Sequence, residues 1–231
     1  MIVASHQPNF MPHMGFFYKM YVCDIFTLSD GVMFSKQGFH NYNFFNESGQ
    51  RKKITVPVSI KNEEAISEAM LSEWNYNKVK LAKRIEGYYA KAPYFKEIYP
   101  CFQPVLTGSY ESLIDFNIDL LIVFRRLFGF YCTLVKESSL ELSDKSPNEQ
   151  IAEICKKTNA NKYLSGEGAK SYLCEGYLAD QNIQVLWSNY KPLEYGSVPN
   201  ASAFDYLMYC GAKIPDEWKY ERVKLHNGKN L

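Results

Sequence analysis

Hydrophobic and polar residues follow two different periods along the chain, and these periods predict strands and helices in turn. The first apolar run, residues 2–4, predicts a short buried strand that ends before Pro8 and Pro12. One helical face of apolar residues follows over residues 14–22. β-branched and aromatic residues then predict strands at residues 24–28, 32–34, 53–58, 69–71 and 133–135.

The centre of the chain changes from strand to helix periodicity. Residues 77–91, 95–106 and 109–128 carry apolar side chains at helical spacing, with breaks at Pro93 and at Thr107-Gly108. We therefore expect a central helical insertion, a layer over about residues 77–128, within one domain spanning residues 1–231.

Strands and helices alternate again after this layer. Ser146-Pro147-Asn148-Glu149 predicts a helix start, with Ser at the N-cap, Pro at the first helical position and Glu at the third. A strand at 162–164, a short helix through residues 172–173 and a strand at 183–187 follow, and the polar end, about residues 218–231, is expected to be loosely held. Because parallel strands need helical crossovers, the fold class is α/β, a largely parallel sheet flanked by helices.

Charge and hydropathy indicate which partners and which location to expect. The chain has 26 basic and 25 acidic residues, a balance that gives no support to a nucleic-acid partner or an anionic membrane surface. The first residues lack the basic and apolar regions of a signal peptide. The most apolar stretch, around residues 120–130, is interrupted by Arg125 and Arg126, so we expect no membrane span. A cytoplasmic location follows as the expectation.

The six cysteines are scattered, without a Cys-x-x-Cys pair or a Cys/His cluster, so we predict no metal site and reduced thiols. A hydrolase with a cysteine nucleophile stays open as an alternative. Aromatic residues make up 16% of the chain. An aromatic core and a homo-oligomer interface account for most of them, and stacking on sugar or base rings is the other use of such side chains.

Two polar segments follow predicted strands. His6-Gln7-Pro8-Asn9 lies just past the first strand, where open α/β sheets bind ligands. The imidazole of His6 can act as acid or base or donate to a phosphate, and Gln7 and Asn9 add amide donors. A histidine that only caps the loop fits the sequence equally well.

The second polar segment, Ser165-Gly166-Glu167-Gly168, follows the strand at 162–164 and precedes a helix. Glycines there let backbone N–H groups approach a phosphate, and Glu167 could accept hydrogen bonds from sugar hydroxyls. A plain turn explains the four residues about as well. If the segment binds an anion, it does so on the same sheet edge as His6.

The run Ser-His-Gln-Pro-Asn-Phe-Met-Pro-x-x-Gly-Phe-Phe-x-Lys, from Ser5 to Lys19, resembles the WbqC-like family. The likeness continues through Asp24-Ile-Phe, the Asp30 to Lys36 segment, and Tyr163-Leu-Ser-Gly-x-Gly. Members of that family are encoded among bacterial O-antigen and lipopolysaccharide functions. The resemblance implies a transferase that adds an acyl or aminoacyl group to a nucleotide-linked amino sugar, using ATP or an activated acyl donor.

The family-like polar residues, taken position by position, are His6, Gln7, Asn9, Lys19, Asp24, Asp30, Lys36 and Asn41. In this interpretation His6 is the base, while Gln7 and Asn9 stabilise the oxyanion. The family pattern has an arginine after Asn41, but this chain continues Tyr42-Asn43, so Lys36 or Lys53 would hold phosphate instead. The alternative is a non-catalytic module that binds a sugar nucleotide or acts as a scaffold.

A second likeness concerns the start of the first helix. His13-Met14-Gly15-Phe16 resembles the His-x-Gly-His signature of nucleotidyl-transferring α/β proteins, with Phe16 at the place of the second histidine. Phenylalanine cannot stabilise charge on a phosphate, so this signature is incomplete. His13 is either a ligand-binding residue or the exposed first turn of the helix.

Overall fold

Nine strands and eight helices make up the computed structural model, which describes residues 1–61, 63–143 and 146–227. The strands are β1 (Ile2–His6), β2 (Ile25–Leu28), β3 (Tyr42–Glu47), β4 (Gln50–Thr55), β5 (Val58–Ser59), β6 (Met70–Leu71), β7 (Thr133–Lys136), β8 (Lys162–Ser165) and β9 (Gln184–Trp187). The helices are α1 (Met14–Val22), α2 (Trp74–Tyr89), α3 (Phe95–Leu106), α4 (Leu113–Phe128), α5 (Pro147–Lys157), α6 (Glu175–Asp180), α7 (Ala203–Cys210) and α8 (Asp216–Asn227).

Five strands form one parallel sheet in the order β7-β2-β1-β8-β9. The chain moves outward from β1 to β2 and β7, then returns to the other side of β1 for β8 and β9. Helices α2–α4 are inserted between β6 and β7. The predicted α/β fold, with a parallel sheet and a central helical insertion, is therefore confirmed.

The two faces of the sheet pack against different helices. In β1, Ile2 and Ala4 face the larger core together with residues of α1, α4 and α7, whereas Val3 faces a smaller core with residues of α5 and α6. This alternation follows from the two-residue period of a strand. The connection leaving β1 and the connection entering β8 consequently lie on opposite faces of the sheet.

The larger core is dense in aromatic rings and contains many of the aromatic residues of the chain. Phe102 of α3 lies edge-to-face against Phe124 of α4, with ring centroids 4.7 Å apart, and against Phe204 of α7 at 5.0 Å. All three side chains are fully buried. Among the helices of the described residues, none is both long and apolar enough to cross a bilayer.

The predicted strand at residues 32–34 was wrong. Met33 makes only an isolated bridge to Ala65, and its side chain is 62% exposed, so the contacts of residues 32–34 with residues 64–66 do not extend into a strand. The hairpin of this region is β3–β4 instead. Its turn residues Ser48 and Gly49 have φ values of 52° and 83°, as a type I′ turn requires, but Ser-Gly is a weaker hairpin signal than Asn-Gly.

The carboxyl-terminal part of the described chain is more ordered than its polar composition predicts. Residues 216–227 form α8, and Trp218 is 3% exposed, with its ring 5.4 Å from that of Tyr18 on α1. Trp218 anchors the start of α8, and contacts of Leu225 with Lys162 and of His226 with Val22 hold its end. Helix α7 was not predicted either, and residues 228–231 lie outside the described residues.

Candidate functional site

The sheet has a switch point at its centre, where the strand order reverses between β1 and β8. Pairing between these strands covers Ile2↔Lys162 and Val3↔Tyr163, whereas β1 stays paired with β2 as far as His6↔Leu28. Open α/β sheets bind ligands at the carboxyl ends of the strands at such a point. We call the carboxyl ends of β1 and β8, with the residues that follow them, the switch point.

His6 is the last residue of β1 and is only partly buried. Its Nδ1 lies 3.0 Å from the carbonyl oxygen of Gln7, and its ring packs edge-on against Phe16 at a centroid distance of 4.8 Å. A carbonyl oxygen can only accept a hydrogen bond, so Nδ1 carries the proton in the neutral ring. Nε2 is then the basic nitrogen of His6.

The surroundings of His6 keep its imidazole neutral. Burial lowers the pKa of His6 well below its ordinary value, and the charge of Lys19 lowers it further, against the opposing effect of the hydrogen bond to Gln7. A neutral imidazole at pH 7, oriented through Nδ1, is the form that a general base needs.

Lys19 brings a cation to the same end of β1. It lies on α1, and its Nζ donates a hydrogen bond to the carbonyl oxygen of Ser5 at 3.3 Å. Burial lowers the pKa of Lys19 to about 8, and no carboxylate lies within ion-pair distance among the described residues. Because buried charges are normally paired, a partly buried ammonium without a counter-ion among these residues favours an anionic ligand.

The loop after β1 is held by two buried amides that sequence reasoning missed. Nδ2 of Asn117 donates to the carbonyl oxygens of Pro8 at 2.9 Å and His40 at 2.8 Å. Nδ2 of Asn43 donates to those of Phe10 at 3.1 Å and Met11 at 2.8 Å. The sequence marks Asn117, because this polar residue interrupts the apolar face of α4. Nothing in the sequence marks Asn43.

Two polar side chains beside this loop are buried without partners among the described residues. Asn9 is 7% exposed, and its Oδ1 has no hydrogen bond. His40 is fully buried, and neither of its ring nitrogens has a partner. Burial lowers the pKa of His40 to about 4, so this ring is neutral as well. Unpartnered buried polar atoms are uncommon in folded proteins and concentrate here around the loop.

The segment from Ser165 to Gly168 lies at the carboxyl end of β8, on the same sheet edge as His6. Ser165 is buried, and a 3₁₀ turn, Glu167–Ser171, takes the place of the predicted helix. A Cβ built on Gly166 or Gly168 would meet no heavy atom within 4 Å, so both backbones border open space. Glu167 is exposed, with a carboxylate oxygen 2.6 Å from Nζ of Lys170. An anion cradle at these residues stays a prediction.

Asp24, Lys36 and Asn41 do not join this group. Oδ2 of Asp24 accepts from the backbone N–H of Ile2 at 2.8 Å, at the amino end of β1, which is the opposite edge of the sheet. Nδ2 of Asn41 donates to the carbonyl oxygen of Val56 at 2.9 Å. Lys36 is exposed in the segment between β2 and β3.

Asp30 and Lys53 also have contacts of their own. The carboxylate of Asp30 is buried and accepts from the backbone N–H and the hydroxyl of Ser138, at 2.9 and 2.6 Å, which ties β2 to the turn after β7. Nζ of Lys53 lies 3.6 Å above the ring of Tyr42. These contacts explain the residues structurally, without a ligand.

A further polar chain lies on the other face of the sheet, near the same edge. The hydroxyl of Thr27 donates to Oε1 of Glu137 at 2.6 Å, and the hydroxyl of Ser5 is 2.7 Å from that of Thr27. Because Thr27 uses its proton on Glu137, Ser5 is the donor in the second contact. The chain places a carboxylate and two hydroxyls beside the ends of β1, β2 and β7.

The signature-like residues at the start of α1 have a clear structural role. His13 is the N-cap, and its Nδ1 accepts from the backbone N–H of Gly15 at 3.0 Å. A Cβ on Gly15 would lie 2.7 Å from Cε1 of His13 and 2.9 Å from Cδ1 of Tyr190, so only glycine fits without displacement. His13 and Tyr190 also line a cleft of about 430 Å³.

Burial disfavours the thiolate at two of the thiols, whereas the contact with Cys23 and the charge of Arg125 lower the pKa of the buried Cys132. Cys23 and Cys155 are buried, and burial raises the pKa of each thiol, which disfavours the reactive thiolate. Cys174 is exposed, and its backbone N–H is bonded to Asn148. Among the described residues, no histidine is hydrogen-bonded to any cysteine.

Comparison with known proteins gives the chain a family. The sequence profile of the WbqC-like protein family matches residues 7–217, which run from the β1–α1 loop to the start of α8. The chain belongs to the WbqC-like protein family. The expected relationship is thus confirmed over nearly the whole WbqC-like fold described above.

One curated relative is similar along almost all of its length. It is "Uncharacterized protein Rv1507c" of Mycobacterium tuberculosis (strain ATCC 25618 / H37Rv), 30% identical over 229 residues, which cover 95% of this chain and 98% of the relative. No solved structure gives a significant match. Neither comparison names an activity for this WbqC-like protein.

Proposed function

We propose that the chain binds a nucleotide-linked amino sugar at the switch point and transfers an acyl or aminoacyl group to its amine. The observation that carries the proposal is that a neutral, oriented His6 lies at the carboxyl end of β1 together with the partly buried ammonium of Lys19, which has no carboxylate partner among the described residues. The neutral imidazole of His6 can accept a proton, and the ammonium of Lys19 can bind a phosphate. The family resemblance supplies the amino sugar as the substrate.

The proposed step is a nucleophilic substitution at an activated carbonyl. The neutral sugar amine attacks the carbonyl carbon, the new C–N bond forms, and Nε2 of His6 takes the proton that the nitrogen loses. The leaving group departs with its electron pair when the tetrahedral intermediate collapses. Amide groups of Gln7 and Asn9 donate to the oxyanion in between. The donor is either a preformed activated acyl compound or an acyl adenylate made from ATP.

Lys19 and the backbone of Ser165 to Gly168 are the proposed diphosphate contacts. They flank His6 from α1 and from β8, and the open space beside Gly166 and Gly168 leaves room for a phosphate to approach. Asp24 and Asn41 already hold backbone groups, so we assign them to positioning the chain.

Replacing His6 by alanine tests the catalytic role. The assay incubates the protein with UDP- and dTDP-linked amino sugars and either acyl-coenzyme A or ATP plus an amino acid, and detects acylated product by mass spectrometry. We expect His6→Ala to lower the turnover number by about 10²–10⁴. The Kd for the sugar nucleotide should change by less than about threefold, because His6 is assigned to chemistry and Lys19 to binding.

His226→Ala is the matched control, since that histidine lies at the opposite edge of the sheet, 3.8 Å from Asp24. It should keep wild-type turnover. Equal product formation by wild type and His6→Ala would remove His6 from the mechanism.

A second candidate is a non-catalytic module that binds the same ligand. The unpaired Lys19 favours it as much as it favours the enzyme, since an anion-binding cation needs no base beside it. This candidate predicts that Lys19→Met abolishes binding of the sugar nucleotide while no combination of donors yields product with the wild-type protein.

A further inference from the structure

A chain of hydroxyls at the carboxyl edge of the sheet leads from Ser5 through Thr27 to the carboxylate of Glu137. Ser5 and Thr27 are partners in the β1–β2 register, and Glu137 directly follows β7. Val3 and Ile25, two positions earlier in the same strands, pack in the smaller core with residues of α5 and α6. The alternation of a strand therefore puts the two hydroxyls on that face, where the apolar core gives way to polar groups.

The protons of this chain all point towards the carboxylate. Thr27 donates to Oε1 of Glu137 at 2.6 Å, so Ser5 donates to Thr27 across the 2.7 Å between their oxygens. Tyr163 of β8 contacts the Ser5 hydroxyl as well. Because Ser5 uses its single proton on Thr27, the phenol of Tyr163 can only donate in this contact. The four groups form one directed series that has no proton left for a ligand.

The chain consequently offers only hydrogen-bond acceptors to a ligand. Oε2 of Glu137 has no hydrogen bond or ion pair among the described residues, and the side chain is only partly buried. Ser5 is also partly buried and keeps a lone pair on its oxygen. Hydroxyl groups of a ligand can donate to these acceptors, whereas a phosphate is itself an acceptor and would be repelled by the carboxylate.

The pairing of the strands leaves the end of β1 open on the side of β8. β1 pairs with β8 only as far as Val3↔Tyr163, so Ser5 has no strand neighbour on that side. Beyond the end of β8, the backbones of Gly166 and Gly168 border open space and are the proposed diphosphate contacts. Groups suited to hydroxyls and groups suited to phosphates therefore lie at the ends of neighbouring strands.

We infer that Glu137, held in place by Thr27 and Ser5, recognises the sugar ring of the substrate. Hydroxyl groups of the sugar donate to Oε2 of Glu137 and to the oxygen of Ser5, while the diphosphate binds at the glycines after β8. The reacting amine is not bound here, because its proton goes to His6 on the other face of the sheet. Sugar recognition at Glu137 rests on the proposed function, in which the same ligand brings the diphosphate and the amine.

Three ligands that differ in the group on the diphosphate test this inference: UDP, UDP-glucose and UDP-glucosamine. Isothermal titration calorimetry at pH 7 measures their Kd values. We expect both UDP-sugars to bind at least about tenfold more tightly than UDP, because their hydroxyl groups gain hydrogen bonds to a charged acceptor. UDP-glucose has no amine, so its gain over UDP isolates the effect of the hydroxyl groups.

Glu137→Gln is the variant that locates the recognition. The glutamine amide keeps an oxygen for Thr27, so the midpoint of urea unfolding should not change. The Kd of UDP should stay within about twofold of wild type, while the gain from UDP to UDP-glucose should fall below about threefold. Ser5→Ala should lower the same gain by about threefold. Glu97→Gln is the matched control, because this side chain is exposed on α3, and it should keep the wild-type gain.

Binding of UDP without any gain from the sugars, or an unchanged gain in Glu137→Gln, would overturn the inference and leave the proposed diphosphate contacts intact. A gain confined to UDP-glucosamine would overturn it too, because the ammonium would then be the group recognised. If none of the three ligands binds, the proposed function fails together with this inference. Lys19→Met separates the two contacts once more, since it should weaken all three ligands in equal proportion.

Discussion

Residue scale: a single physical cause, desolvation, gives His6 and Lys19 two different charge states. Burial lowers the pKa of both groups. The imidazole starts near 6.5 and the ammonium near 10.5, so lowering the first leaves it neutral at pH 7, whereas lowering the second to about 8 leaves it mostly protonated. A base and a cation can thus sit at one strand end without a carboxylate between them.

Lys19 makes the binding of an anionic ligand pH-dependent. The protonated form binds phosphate, so affinity for a UDP-linked amino sugar should be constant below pH 8 and fall as Lys19 loses its proton above pH 8. The limiting slope is about tenfold per pH unit for one proton. Isothermal titration calorimetry between pH 6.5 and 9.5 measures it.

Lys19→Met should bind the sugar nucleotide at least about tenfold more weakly at pH 7 and lose the slope. Lys83→Met, at an exposed position of α2, is the matched control and should behave as wild type. If the pH profile of Lys19→Met matches that of wild type, another group holds the phosphate.

At the scale of elements, the sequence predicted those helices whose apolar spacing or capping residues lie within the helix itself. Helices α1 and α3 have the predicted bounds, and α5 begins with the predicted capping box of Ser146 and Glu149. Helix α7 and strand β3 were missed because tertiary contacts decide them, whereas the strand predicted at residues 53–58 overlaps β4. In β3, buried Asn43 and Asn46 interrupt the expected apolar alternation, and their side chains bond distant backbone groups or loop residues instead.

Only part of the candidate site could be predicted from the sequence. Placing His6 and Ser165 at one sheet edge follows from the predicted parallel pairing of strands, and the structure agrees. The contacts of Asp24 with Ile2 and of Asn41 with Val56 depend on how separate elements pack, which no local pattern reveals. The same is true of Asn117, which contacts Pro8 across 109 positions of the chain.

Close packing around Gly15 in α1 and open space around Gly87 in α2 predict opposite effects on stability when each glycine is replaced by alanine. Gly15→Ala introduces a Cβ within 3 Å of His13 and Tyr190, so we expect a loss of about 1–3 kcal/mol in the free energy of unfolding. Gly87→Ala, inside α2 with nothing within 4 Å, should gain about 0.5–1 kcal/mol. Urea unfolding of both variants measures the difference.

Gly15→Ala should also weaken sugar-nucleotide binding or turnover, because it displaces the β1–α1 loop, whereas Gly87→Ala should leave both unchanged. A Gly15→Ala variant as stable and active as wild type would show that His13 and Tyr190 can move aside without cost.

At the scale of the molecule, residues between β2 and β7 support the loop that follows the first strand. His40, Asn43 and Asn117 all lie between β2 and β7 in sequence, and all three contact the β1–α1 loop or its supports. The switch point of the sheet is therefore fixed by the segment between β2 and β7 as much as by the strands. The folded state also buries imidazole rings at this place, which couples the stability of the whole molecule to pH.

Two histidines set the sign of that coupling. Burial lowers the pKa of His6 and of His40 below 6.5, for His40 to about 4, while the unfolded chain titrates near 6.5. Below pH 6.5 the unfolded state then binds more protons than the native state, so stability present above pH 6.5 is lost as the pH falls. Each histidine contributes a slope of up to about 1.4 kcal/mol per pH unit.

Urea unfolding at pH values from 4.5 to 7.5 tests this coupling. In the difference between wild type and His40→Gln, carboxylate contributions common to both proteins cancel, Asp205 among them, whose pKa burial raises in the opposite sense. The wild type should therefore show a slope steeper by up to about 1.4 kcal/mol per pH unit, and His6→Gln should remove a second such slope independently. If His40→Gln keeps the wild-type slope, its ring is protonated in the folded protein, and the loop holds a partner for that charge.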